Sequence, residues 1–342
     1  MSDVTQLSLT SEAVETENYN IISAQRKAER LILTHSTPTC SISGGSDSDI
    51  MLDMIYRADP NKKVQYYFCD TGLEYQATKE HLTELENKYG IIIERLKPKK
   101  PIPNCVKENG VPFVSKFTSQ KIEQLQRHDF KWENKPFEDL ITQYPNCYAA
   151  LMWWCDYRIG KNEKNYSTNK FSITRNKYLK EFMIKYPPDF LISSKCCDIS
   201  KRKPLKDYKH NIDSDIDMIG VRKAEGGIRS IAYKNCFTAC DNGCDAFRPV
   251  FWFTDDDKRD YENAYGVEHS RCYTEYGMKR TGCVGCPFNI HITEELDIIQ
   301  RFEPRLYKAA VAVFDKSYDY TRKYREFVKM MKAKEKKRIK IN

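Results

Sequence analysis

Thr37-Pro38-Thr39-Cys40-Ser41-Ile42-Ser43-Gly44-Gly45-Ser46-Asp47-Ser48-Asp49-Ile50 is the stretch that decides the fold of this 342-residue chain. Thr37 to Ser43 reads as extended. Asp49 to Arg57 repeats Ile50, Met51, Met54 and Ile55 at helical spacing, so the pattern is strand, glycine turn, helix. Glycines in such a turn let the backbone approach an anion, and the free N–H groups of the loop and helix start point at it. Ser43, Ser46 and Ser48 add hydroxyl donors, with Gly44 and Gly45 between them. Asp47 does not suit a phosphate by itself; it holds the turn through backbone N–H groups or reaches a bound Mg²⁺. No Gly-Lys-Ser/Thr follows, so this is not a Walker loop.

Outward from the loop the pattern repeats. Thr16 to His35 is helical, with Ile21, Ile22, Ala28, Leu31 and Ile32 on a face. Val64 to Cys69 is a strand running into Asp70-Thr71-Gly72, Tyr75 to Tyr89 a helix closed by Gly90, and Ile91 to Leu96 a third strand. Strands alternating with helices of this length imply βαβ units, a parallel sheet, and ligands at the carboxyl ends of the strands. The Pro-rich break Lys97 to Pro103 ends this half. A helical, aromatic-rich stretch from Ser119 to about Arg158 follows, in which Trp153 and Trp154 belong to the core. Lys161 to Asn169 is a polar linker, Lys177 to Tyr186 a helix, Met218 to Arg222 strand-like, and Thr293 to Lys340 helical.

The hydrophobic fraction of 40% with 12% aromatics is that of a globular protein and excludes whole-chain disorder. The first residues lack the charged and apolar regions of a secretory signal, and no apolar run approaches the ~20 residues that span a bilayer. A cytoplasmic protein is expected, without membrane association. Net charge is +8, and the segment from Arg322 onward carries all of it, with ten basic residues against Glu326 and Glu335. A basic tail suits phosphate backbones, and equally a solvated helix end. Thirteen cysteines cannot pair completely, and in a reducing compartment that number raises the question of metal ligation. Cys283-Val284-Gly285-Cys286 presents two thiolates to one centre, and a tight turn can add Cys196 and Cys197. Four thiolates complete a [4Fe–4S] site. Cys272 is an alternative to one of the adjacent pair, and Cys236, Cys240 and Cys244 are candidates for Zn²⁺. Cys40, Cys69, Cys105, Cys147 and Cys155 read as structural.

Ser-Gly-Gly-x-Asp-Ser resembles the signature of the PP-loop superfamily, and Asp70-Thr71-Gly72-Leu73-Glu74 looks like the Asp-Thr-Gly-x-Glu segment of its adenylyl-sulfate and phosphoadenosine phosphosulfate (PAPS) reductases. Cys196-Cys197 with Lys203-Pro204-Leu205, and Lys279 to Pro287 with its C-x-x-C, resemble the cluster pattern of the iron–sulfur branch. Gly220-Val221-Arg222, later Arg229, and Pro249 to Asp257 resemble its substrate segments. The resemblance implies a Rossmann-like α/β fold of the adenine nucleotide alpha hydrolase kind, a parallel sheet with helices on both faces, plus a helical, Cys-rich C-terminal part. It implies an N-terminal helix at 1–35, a PP-loop domain at 36–290 with a helical insertion at about 104–190 and cluster segments at 195–205 and 272–287, and a helical basic tail at 291–342. Asp70, Thr71, Glu74 and Arg229 join the loop in holding the nucleotide; Asp47, Lys203 and Arg222 serve catalysis.

Three readings follow. A reductase would form sulfite from adenylyl or phosphoadenylyl sulfate, which in the family needs a C-terminal thiol nucleophile; no cysteine follows Cys286 here. In the preferred reading ATP adenylates a substrate oxygen, pyrophosphate leaves with Mg²⁺, and sulfur replaces the activated oxygen, as in enzymes resembling those of DNA phosphorothioation. The tail would then track a nucleic acid, and a sulfur-donor or electron-donor protein is a further partner. The third reading is a nucleotide- and cluster-binding regulator without turnover.

Overall fold

A computed structural model describes residues 16–157, 172–226, 232–241 and 243–339. The Lys161 to Asn169 linker lies outside the described residues. The chain forms two compact units interleaved in sequence: the first from 1–68, 77–95 and 207–281, the second from 69–76, 96–206 and 282–342.

The first unit is built on a six-stranded sheet of β1 (Pro38–Ile42), β2 (Gln65–Cys69), β3 (Ile93–Leu96), β4 (Ile216–Ile219), β5 (Phe237–Thr238) and β6 (Asp245–Phe247), in the order β3-β2-β1-β4-β6-β5. β1 pairs parallel with β2 and β4, and β4 with β6. The expected parallel sheet is therefore present, with one departure. β5 and β6 are antiparallel, because the few residues from Cys240 to Cys244 allow a hairpin and not a crossover.

Register sets the two faces. Cys40 lies opposite Tyr66 and Met218, and Met218 opposite Phe247. This apolar face packs with α1 (Tyr19–Thr34), α2 (Ser46–Ala58) and α3 (Gln76–Tyr89) through Ile21, Leu31, Ile50, Met54 and Leu82. The opposite face is polar, carrying Thr39, Tyr67 and Asp217. Asp217 is buried and accepts hydrogen bonds from Tyr67 Oη (2.8 Å), Thr39 Oγ1 (3.1 Å) and Lys209 Nζ (2.9 Å). Tyr208, beside Lys209 in the helix Lys203–Asn211, packs its ring against that of Tyr67 with centroids 4.9 Å apart and planes tilted by 43°. Helices thus cover both faces. Burial raises the Asp217 pKa, with Lys209 opposing.

The second unit has an aromatic core of Phe113, Trp132, Trp153, Trp154 and Phe182, closed by Tyr320 and Phe327 of the long helix Pro304–Ile339. The expected helical stretch is three short helices, Lys116–Gln126, Phe137–Gln143 and Tyr148–Trp154. Left-handed Asp129 and Trp132 separate the first two, while Pro136 precedes the second and Pro145 the third. No helix among the described residues is long and apolar enough to cross a membrane.

Candidate functional site

The glycine loop lies in the first unit. Gly45 is extended and caps α2, so Ser46, Asp47 and Ser48 form the helix's first turn, three residues earlier than the periodicity of Ile50 and Met54 indicates. Their N–H groups are thereby those of a helix N-terminus. The Ser43 N–H donates to Ser48 Oγ at 3.0 Å, and the Ser48 N–H to the Gly45 carbonyl at 2.8 Å. Gly44 has φ +64°, and a Cβ there would sit 2.5 Å from Thr78 Cγ2.

A cleft of about 310 Å³ opens over the loop, with Arg222, Lys258, Tyr273, Lys279, Arg280 and Thr281 among its walls. The Asp47 carboxylate accepts from Arg222 Nε at 2.8 Å and Lys258 Nζ at 3.2 Å, a salt-bridged role where the sequence suggested backbone N–H groups or Mg²⁺. Arg222 donates again to Asp255 (2.8 Å) and Lys258 to Ser46 Oγ (2.5 Å). Burial opposes the Arg222 charge, yet Asp255 and Asp47 raise its pKa. Lys279 and Arg280 are exposed, and no ion pair is seen for either among the described residues. Lys258 and Tyr273 went unnoticed in the sequence as cleft residues. Lys258 lies one helical turn past Thr254, whose capping box with Asp257 announces the helix Asp255–Tyr265, but nothing local points that helix at the loop.

Beneath the loop, Asp49 is fully buried and faces two histidines. His269 Nδ1 lies 2.9 Å from Asp49 and its Nε2 2.8 Å from Glu262; His81 Nε2 lies 3.2 Å from Asp49, off the line of a hydrogen bond. Burial disfavours the charged rings, but the carboxylates outweigh it and raise both pKa values.

The cysteine site belongs to the second unit. Cys196 and Cys197 sit in the helical turn Lys195–Cys197, which runs on as a π-helical turn, Asp198–Arg202. The Cys283 to Cys286 turn is anchored by the Val284 N–H on the Leu73 carbonyl at 2.8 Å. A hydrogen bond between Cys196 and Cys197 raises the first thiol's pKa and, with Lys116 assisting against burial, lowers the second to about 6. Burial pushes Cys286 up to about 12, with the charges of Cys197 and Glu295 adding, and pushes Cys283 higher still. Cys196 also feels Cys286 and Cys283, so all four thiols share one electrostatic neighbourhood. Among the described residues no three His, Cys, Asp or Glu side chains are set to hold a single ion.

Lys201 is exposed by area, yet its ammonium is crowded: desolvation opposes its charge, while Cys283, Glu74, Cys69 and Cys197 favour it and raise its pKa. Lys203 opens the following helix and is exposed. Thr71 and Glu74 are buried in this unit, where Thr71 Oγ1 donates to Glu74 at 2.6 Å and lies 3.7 Å from Cys283 Sγ. Asp70 accepts the Gly72 N–H at 3.0 Å. Cys272 belongs to the first unit, buried 3.8 Å from Thr78 Oγ1.

The three Zn²⁺ candidates take separate partners: Cys236 faces Lys27 Nζ (3.1 Å), Cys244 donates to the Asp245 carbonyl (3.4 Å), and Cys240 is exposed. Among the described residues these three thiols form no group set to hold an ion, so the zinc expectation gains no support. Arg229 lies outside the described residues.

A model of the phosphoadenosine phosphosulfate reductase domain matches residues 37–135. The uncharacterized protein MJ0066 of Methanocaldococcus jannaschii is 30% identical over 183 residues, 53% of this chain and 34% of that protein, so the match spans about a third of the relative's length. Similar solved structures include the PAPS reductase of Candida auris in a phosphate complex, with TM-score 0.42, 14% identity, and coverage of 81% of this chain and 97% of that one. The U34-tRNA thiolase NcsA of Methanococcus maripaludis with its [4Fe-4S] cluster has TM-score 0.37, 12% identity, and coverage of 91% and 80%. The NH3-dependent NAD synthetase of Campylobacter jejuni has TM-score 0.35, 11% identity, and coverage of 88% and 94%. The match over residues 37–135 covers the Ser43 to Ser48 loop in its strand-turn-helix setting, so this part of the chain is similar to the phosphoadenosine phosphosulfate reductase domain.

Proposed function

We propose that this protein is an ATP-dependent PP-loop enzyme that adenylates a substrate oxygen and supports its replacement by sulfur, using a [4Fe–4S] cluster held by Cys196, Cys197, Cys283 and Cys286. The observation that carries the choice is the region after Cys286. Where the reductase reading requires a mobile thiol, residues 292–339 form two helices, Ile292–Phe302 and Pro304–Ile339, the second packed into the core through Phe314, Tyr320 and Phe327.

In this reading the first-turn N–H groups of α2 and the side chains of Ser46, Lys258 and Arg222 hold the phosphates, and Lys279 and Arg280 supply further positive charge. Attack of the substrate oxygen on the α-phosphorus breaks its bond to pyrophosphate; a sulfur nucleophile from a donor then breaks the carbon–oxygen bond and releases AMP. Mg²⁺ carried in with the nucleotide would neutralise the leaving pyrophosphate, and Asp47, the one loop carboxylate, would hold it only on release of its Arg222 and Lys258 salt bridges. The four-thiol donor set suits an iron–sulfur centre by its all-sulfur chemistry. Such a centre supplies a site for binding or relaying sulfur. Lys201 and Lys116 offset the charge of the thiolates. Exposed Lys329, Lys332, Lys334, Lys336 and Lys337 on the long helix support a nucleic acid as the acceptor or as its carrier.

The test measures pyrophosphate release from ATP, with and without nucleic acid, beside sulfite release from adenylyl and phosphoadenylyl sulfate under reductant. Nucleic-acid-stimulated pyrophosphate release is expected. Sulfite formation by this chain alone overturns the proposal in favour of a reductase, and nucleotide binding with neither product makes the protein a regulator.

A further inference from the structure

The turn carrying Cys283 and Cys286 is held at its glycine from two sides. The Gly285 N–H donates to Glu295 Oε1 at 3.3 Å, and the Gly285 carbonyl accepts from Tyr318 Oη. Gly285 has φ +64°, and a Cβ there would lie 2.6 Å from Tyr318 Oη and 2.7 Å from Ala310 Cβ. Glu295 is 6% exposed, and its carboxylate also accepts from Tyr75 Oη and Asn289 Nδ2. Three donors converging on one buried carboxylate, one of them from Tyr75 far away in sequence, are more than a solvated helix face requires.

We propose that Glu295 and Tyr318 are positioning residues that fix the Cys283 to Cys286 turn in its ligating form, with Glu295 placing a buried negative charge beside Cys286. The inference rests on the four-thiol reading above. A four-residue turn with a left-handed glycine is mobile unless its peptide groups are tied down. Pinning both the N–H and the C=O of Gly285 lowers the ordering cost when thiolates close on iron. Outer contacts of this kind carry about ten- to hundredfold in metal affinity. The charge acts separately from the geometry, because a nearby carboxylate disfavours adding an electron to an iron–sulfur centre.

Glu295→Gln keeps an acceptor for the Gly285 N–H and removes the charge; Tyr318→Phe keeps the ring and removes the hydroxyl. The full chain and both variants are reconstituted anaerobically with iron and sulfide. Iron per chain, the chelator concentration that strips half of it, and the reduction potential are then measured, with circular dichroism checking folding. The wild type is expected to hold about four irons. Tyr318→Phe should lose iron to about ten- to hundredfold less chelator, and Glu295→Gln should retain iron at a higher reduction potential. That rise is a signature that a merely structural role does not produce. Wild-type loading with unchanged chelator resistance and potential in the folded variants overturns the positioning role and leaves the four-thiol reading intact. Absence of iron in the wild type, or full loading of Cys283→Ala, overturns both.

Discussion

With Arg222 Nε at 2.8 Å and Lys258 Nζ at 3.2 Å, the Asp47 carboxylate already holds two cations before any ligand enters. An incoming polyanion therefore competes with an internal counter-ion, and the grip on it depends on loop geometry as much as on charge. Gly44 is the residue on which that geometry turns. Gly44→Ala meets both the left-handed backbone and the buried Thr78 methyl, and should cost about 1–3 kcal/mol of stability. Nucleotide affinity should fall at least about tenfold, read by calorimetry beside thermal unfolding; unchanged affinity would remove the loop from the binding site. The loop was legible because its glycines and serines act on their immediate neighbours. Lys258 and Tyr273 were not, because they reach the cleft from more than 200 residues downstream, and spacing along a chain carries no record of such approach. The cysteines show the same contrast. C-x-x-C and the adjacent pair are local patterns, whereas Cys272 stands near Cys283 in sequence and yet packs in the other unit, because the chain leaves the first unit after Thr281.

Between elements, His269 ties α2 to the helix Asp255–Tyr265, one ring nitrogen on Asp49 and the other on Glu262. Its folded pKa and that of His81 lie above the unfolded value of about 6.5. Charged rings in the folded state thus contribute stability that is complete below that value and is lost as pH rises through the raised folded pKa. Denaturant unfolding across a pH series should show stability declining from near pH 6.5 upward, and His269→Gln should flatten part of that decline. Identical slopes in both proteins would show the pairing to be energetically silent. The helices α1 and α3 were legible from apolar periodicity, since their buried apolar residues recur at helical spacing. The burial of the sheet face carrying Thr39, Tyr67 and Asp217 was not, because polar residues alternating with apolar ones read as a solvent-facing side.

Across the whole molecule, the basic charge collects on the end of one long helix. Phe327 packs into the core and Met331 packs partly against it, so deleting residues 332–342 spares the apolar face while removing six basic residues and one acidic. If the helix end tracks a nucleic acid, the truncated protein should bind it more weakly, with a shallower dependence of log affinity on log salt by about 0.7–0.9 per lost phosphate contact. An unchanged slope would assign the tail to solvent. The interleaving of the two units has its own consequence, played out during synthesis. The chain crosses between them after Phe68, Gln76, Arg95, Lys206 and Thr281. β1, a central strand, finds β2 early, but β4, its other neighbour, is made only about 170 residues later. At ~5–20 residues per second the nascent chain holds one edge of its central strand open for roughly 10–30 s. Ribosome-bound chains stalled before Ile216 therefore present an unpaired, apolar-flanked strand edge, which is a substrate for chaperones and a seed for aggregation.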